Sequence, residues 1–285
     1  MIRNFIYLDS EKLRSISSQL FEGVTEQIVR QASNTETEQE TQKGPVNSGR
    51  LVADIFAKES SSSELKFLED HAYTLLENEL MKAEVVDEIT SLSTKSNESK
   101  KFVKVTGTLS INDTFVTSAT LKAFNTIGEA QWRSTNETGE TLKPLGDTEA
   151  RKKAREAGLQ INQKWADSLS LLLDYGYDGI LEFHIETTTL LFSAPIKRNF
   201  LRESERMLLH KYSRVTQTPF TILGIVTQRF DNKASETKIP NVGDVEGMKP
   251  AMRALSLNLR QLEQTYIGPT EGEIILDPIA IYSSI

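Results

Sequence analysis

The chain has 285 residues, of which 38% are hydrophobic and 26% charged, with a formal net charge of −7 and no cysteine. The length allows one large core or two modest ones, and the missing cysteines remove disulfides, thiolate nucleophiles, iron–sulfur clusters and thiolate zinc sites. The acidic balance gives no overall attraction to nucleic acid or anionic lipid, so binding either would need a local basic patch.

Met1 to Phe5 lead directly into a strand-like segment with no signal or transit pattern. The most apolar internal run, Leu169 to Leu173, is too short to span a bilayer. A soluble cytoplasmic protein is expected.

Phe5-Ile6-Tyr7-Leu8 reads as a strand that stops at Asp9, placed to cap a helix carrying Leu13, Ile16 and Leu20 and ending near Gly23. Val24, Ile28 and Val29 begin a shorter helical stretch. Residues 31–50 are almost devoid of apolar side chains, which predicts a flexible loop. Leu51, Val52, Ile55 and Phe56 suggest a short helix. A long amphipathic helix is expected from Glu64 to about Leu92, with Leu76, Met81, Val85 and Ile89 on its apolar face and Glu69, Asp70, Glu77, Glu84 and Glu88 on the other.

Val103 to Ile111 alternate apolar and polar residues as a half-buried strand does, and Asp113 then caps a helix ending near Gly128. Another helix is expected from Asp147 or Thr148 to about Tyr175, interrupted at Gly158 and with Trp165 in the core. Ile180 to Glu186 and Thr189 to Ala194 read as a hairpin, followed by a basic helical stretch after Pro195. Phe220 to Val226 are apolar on both faces, as a central strand is. After a loop from Asp231 to Gly247 comes a helix with Met252, Leu255, Leu259, Leu262 and Tyr266 on one seam, whose heptad-like spacing would suit dimerisation but covers too few heptads for a coiled coil, so packing against the sheet is expected. Ile274 to Tyr282 is a closing strand, bulged or at an edge because of Pro278.

These elements describe an α+β fold with a mixed or antiparallel sheet. The two strand–Asp–helix units suggest ferredoxin-like units. Residues 1–23 are expected to join the main sheet, 24–96 to form a helical insertion, and 97–285 to form the α+β domain.

Several of these segments resemble an uncharacterised bacterial domain family. They are Tyr7-Leu8-Asp9-Ser10-Glu11-Lys12-Leu13 with Ser18-Gln19-Leu20 and Gly23, Val105-Thr106-Gly107 with Asp113 and Phe124-Asn125, Leu223-Gly224, and the closing Pro278-Ile279-Ala280-Ile281-Tyr282. The resemblance covers most of the chain. It implies a bacterial source with an association with mobile elements or antiphage defence, and it brings no catalytic roles with it.

Common site motifs are missing: there is no GxGxxG, Walker-type loop, GxSxG elbow or HExxH, and no cofactor is expected. Glu182, His184 and Glu186 alternate with Leu181, Phe183 and Ile185, so a strand would project two carboxylates and an imidazole from one face. Such a set suits a divalent metal or proton transfer, and a solvent-facing strand shows the same alternation. Lys197, Arg198, Arg202 and Arg206 form the core of a basic stretch, the arginines four apart as they would be along one helical face. They would take an anion or an acidic partner, or pair with the acidic helix. Arg151, Lys152, Lys153 and Arg155 form a smaller cluster. The expected function is a non-enzymatic binding or regulatory component of a protein assembly, with another protein or a second copy as partner. The alternative is a metal-dependent hydrolase or nuclease using acidic residues.

Overall fold

The computed structural model describes residues 2–20, 62–93, 95–230 and 247–285. The expected loop at 31–50, the helical stretches at 24–29 and 51–56, the stop at Gly23 and nearly all of the loop after Asp231 lie outside the described residues. Two compact units emerge. One comprises Met1–Ile111, Phe183–Arg229 and Glu271–Ile285, and the other Asn112–Glu182 and Phe230–Thr270.

The first unit holds the sheet. Its strands are β1 (Arg3–Leu8), β2 (Val86–Thr90), β3 (Phe102–Asp113), β4 (Leu181–Glu186), β5 (Leu191–Ile196), β6 (Val215–Arg229) and β7 (Glu273–Ser284), with β3 and β4 each crossing the unit boundary by two residues. β7 pairs antiparallel with β1 and β6 and parallel with β5, while β3 pairs antiparallel with β6 and parallel with β2. Because β4 lies between β3 and β5, the pairings β3–β6–β7–β5–β4 close on themselves. The sheet is therefore mixed and partly barrel-like, within an α+β fold. No ferredoxin-like order emerges from these pairings.

β6 is paired on both edges, and Phe220 to Gly224 are buried without alternation, as in a central strand covered on both faces. The expected bulge is found: register shifts where Gly224 faces Pro278, a residue with no N–H to give the ladder. A Cβ on Gly224 would sit 3.1 Å from the Asp277 carbonyl oxygen, so the close approach favours glycine. β4 and β5 form the expected hairpin, closed where the Thr187 N–H donates to the Leu190 carbonyl at 2.8 Å.

Helix α1 (residues 10–20) and α2 (Ser62–Lys82) cover the sheet. Leu13 from α1 and Ala72, Tyr73, Leu76 and Leu80 from α2 pack with Leu8, Leu223, Ile279, Ala280 and Tyr282. Fully burying each such leucine is worth about 1.5–3 kcal/mol. The long helix expected to reach Leu92 ends ten residues early, at Lys82. Glu84 turns the chain with φ 56°, and Val86 to Thr90 pair with Phe102 to Thr106 as β2. Val86 and Ile89 are three apart, a helical spacing that pairing with β3 overrides.

The second unit is helical: α3 (Thr114–Asn136), α4 (Asp147–Glu156), α5 (Gln163–Tyr177) and, after α6 (Glu205–Tyr212) of the first unit, α7 (Met248–Ile267). α3 runs past Gly128 rather than stopping there. A Cβ on Gly128 would fall 1.8 Å from the Leu159 carbonyl oxygen, so this glycine serves close packing against the 157–162 connection. No helix among the described residues is long and apolar enough to cross a membrane.

Candidate functional site

On the sheet of the first unit, a pocket of about 450 Å³ is lined by Arg3, Glu88, Lys104, Thr106, Thr221 and Tyr282 among others. Three of these residues, Arg3, Lys104 and Tyr282, contact Glu77, which is only 2% exposed. α2 delivers it there because Tyr73, Leu76 and Leu80 share its helical arc. A buried carboxylate costs several kcal/mol unless its oxygens are occupied. Here Oε1 accepts from the Tyr282 hydroxyl at 2.9 Å and the Tyr73 hydroxyl at 3.4 Å and lies 3.3 Å from the Lys104 ammonium, while Oε2 accepts from Arg3. The Arg3 guanidinium also lies over the rings of Tyr282 and Tyr73, at 5.1 and 5.5 Å.

Burial, and then the charge of Glu77, push the Tyr282 hydroxyl above its ordinary value. Burial, Tyr282 and Glu77 do the same to Tyr73. Burial alone would lower Lys104, but Glu77 and Glu88, the latter 3.1 Å away, outweigh it and hold the ammonium above its usual range. Two cations thus face two carboxylates, leaving no formal excess charge to draw an anion. Thr106 and Thr221 share a hydrogen bond of 2.8 Å. The pocket is a polar recess whose charged groups pair with one another, while the Arg3 Nε is buried without a hydrogen-bond partner. Sequence reading missed it because its residues are scattered from position 3 to 284; the available signal was Glu77 lying on the apolar arc of α2.

A second charged cluster surrounds Asp9, which is fully buried. Its Oδ1 accepts from the Lys12 N–H at 3.0 Å, the expected cap, while Oδ2 is 2.8 Å from the Lys12 ammonium and 3.5 Å from Lys197. Burial would raise this carboxyl, but Lys12 and Lys197 hold it below the usual carboxylate range.

Lys197 therefore serves Asp9, and lies 3.7 Å from Glu11. Arg198 pairs with Glu205, and Arg202 with Asp70 at 2.8 Å and Glu69 at 3.5 Å. The three arginines do not share a helical face. Arg198 lies in a 3₁₀ turn (Arg198–Phe200), the Arg202 N–H donates to the Ile6 carbonyl, and only Arg206, exposed, is on α6. Tyr7 bridges Leu201, so this stretch runs beside β1 instead of coiling. Within the smaller basic cluster, Arg151 pairs with Glu129 and Lys153 with Glu156.

On β4, Glu182 and His184 are half-buried and Glu186 exposed, between buried Leu181, Phe183 and Ile185. The expected alternation is present. Among the described residues no three His, Asp or Glu side chains gather as a metal ion requires.

The second unit has an inverted burial pattern. On α5, Ala166 and Ser170 are fully buried, whereas Trp165 (56%), Leu171 (69%), Tyr175 (53%) and Leu172 are exposed. The expectation of a core Trp165 is corrected. α3 offers Ser118 as a small buried contact, and Ser118 donates to Asp174 at 2.7 Å while Lys122 pairs with its other oxygen at 2.6 Å. This lock sets the small-residue side of α5 inward, and Asn162 caps the helix at the Trp165 N–H. The readable signal was the Ala166, Ser170 pair four apart, opposite the large side chains. On α7, Met252, Leu255 and Leu259 are likewise exposed, Tyr266 is half-buried, and the Leu262 side chain lies outside the described ones. The expected packing of this seam against the sheet is corrected for those three residues, which are exposed; among the described side chains of the helix Ala254 is buried.

No curated protein and no solved structure matches the chain. One family model matches residues 2–282, nearly the whole length, and by that match the chain belongs to the family of the domain of unknown function DUF6414.

Proposed function

We propose that the chain is a non-enzymatic binding component of a bacterial protein assembly, and that α5 presents its docking face to a protein partner. The observation that carries this reading is the exposure of Trp165, Leu171, Leu172 and Tyr175 on a helix whose buried side is Ala166 and Ser170. Single exposed apolar residues are ordinary, but two aromatic and two leucine side chains on one outward helical face are the composition of an interface core. The charged groups of the sheet pocket support binding over turnover, because they are committed to one another.

The test compares affinity purification from the source cell using the wild type and a Leu171→Asp variant. A stable protein partner retained by the wild type and lost from the variant, with unchanged circular dichroism and melting temperature, supports the reading. Identical protein sets from both, or metal-dependent turnover by the lone chain, would sink it.

A further inference from the structure

On α7, Met248, Met252, Leu255, Leu259, Leu262 and Tyr266 follow an alternation of four and three, while Leu257 and Ile267 lie off that line. That is the seam of a helix made to pair with another helix over nearly three heptads. The described members of its N-terminal part are 44% to 81% exposed at Met248, Met252, Leu255 and Leu259. The helix is already held in its own unit, with Ala254 buried and Tyr266 and Ile267 beside Gly176. Pairing therefore requires little further ordering, which lowers its entropic cost.

We infer that this seam is covered by α7 of a second copy of the chain, arranged antiparallel about a two-fold axis. The flanking charges decide both occupant and direction. Across such an axis each flank of the seam meets the same flank of the other copy. Lys249 then faces Glu263 of the second copy, and the reverse, giving two identical ion pairs, while Ser256 meets Ser256 and Asn258 meets Asn258. The same axis sets Leu255 over Leu259. Both Lys249 and Glu263 are exposed. In a parallel pair the two charges would be about 21 Å apart along the axis at ~1.5 Å per residue, and the flanks would offer only Ala251 to Ser256 and Asn258 to Glu263. The antiparallel pair alone uses both charges. One helix pair is small beside the roughly 800 Å² per partner of a standard interface, so the dimer should dissociate in the micromolar range.

This inference goes beyond the docking role of α5 and rests on a different helix, so each can fail alone. Sedimentation of the full chain across the micromolar range should show a monomer–dimer equilibrium. Lys249→Glu and Glu263→Lys should each weaken it about tenfold or more, and the double variant should restore it; Leu171→Asp should leave it unchanged. Because the chain has no cysteine, single cysteines report orientation cleanly. With a short bis-maleimide, Ser256→Cys should cross-link to itself and Lys249→Cys should not. A monomer at every concentration overturns the inference, the seam then belonging to another occupant. A dimer indifferent to the charge changes, or cross-linking at position 249, overturns it equally.

Discussion

Asp9 and Asp113 begin alike, each ending a strand and accepting from the backbone N–H three residues on, Lys12 at 3.0 Å and Val116 at 3.2 Å. They differ in what else they hold. Asp9 also binds the Lys12 ammonium, which in turn reaches the Pro278 carbonyl and Asp277. Asp9→Ala should therefore cost clearly more than about 1 kcal/mol, the worth of a cap alone, measured by chemical denaturation. The Asp9 carboxyl is held below its ordinary value, so its contribution is present above the unfolded pKa, near 4, and lost as pH falls through the lower folded value. The gap between wild type and Asp9→Asn should close on strong acidification. Glu77 offers a sharper case. Glu77→Ala leaves Arg3 and Lys104 facing each other without their shared carboxylate, and should cost about 3–5 kcal/mol; a loss below 1 kcal/mol in urea unfolding would show that water replaces it.

Among the elements, legibility followed locality. β3 announced itself through the alternation from Val103 to Ile111, the β4–β5 hairpin through two strand-like runs around a short polar turn, and β6 through a run apolar on both faces. β2 was unreadable because five residues with helical spacing become a strand only by pairing with β3. Trp165 was misread because burial on α5 is decided by small residues on α3, which no periodicity within α5 reveals. The Glu77 pocket was invisible for the same reason on a larger scale, as Arg3, Glu77, Lys104 and Tyr282 meet only in the folded chain. Gly128 looked like a helix stop and proves to be a packing position. Gly128→Ala should lower the melting temperature of its unit distinctly, since the new methyl must displace the Leu159 carbonyl. Gly139→Ala, where a Cβ would meet nothing within 4 Å, should be near neutral.

At the scale of the molecule, the candidate features fall in different units. The sheet unit gathers paired charge around Glu77 and Asp9, and the helical unit displays large apolar side chains on α5 and α7. The assembly reading draws on exposed side chains of the second, so variants at Leu171 or Lys249 should alter association without altering unfolding.

The place of β7 in the sheet carries a consequence for how the chain comes into being. β7 joins β1, β5 and β6, and it follows all of them in the sequence. During synthesis β1 emerges first, yet Leu8 must wait roughly 270 residues for Ala280, on the order of tens of seconds at typical elongation rates. Until then the strand ring is open, and the edges of β1, β5 and β6 that β7 will cover are unpaired templates for other chains. The sheet unit is thus obliged to fold after the ribosome has delivered its last strand, in the slow regime of long-range pairing.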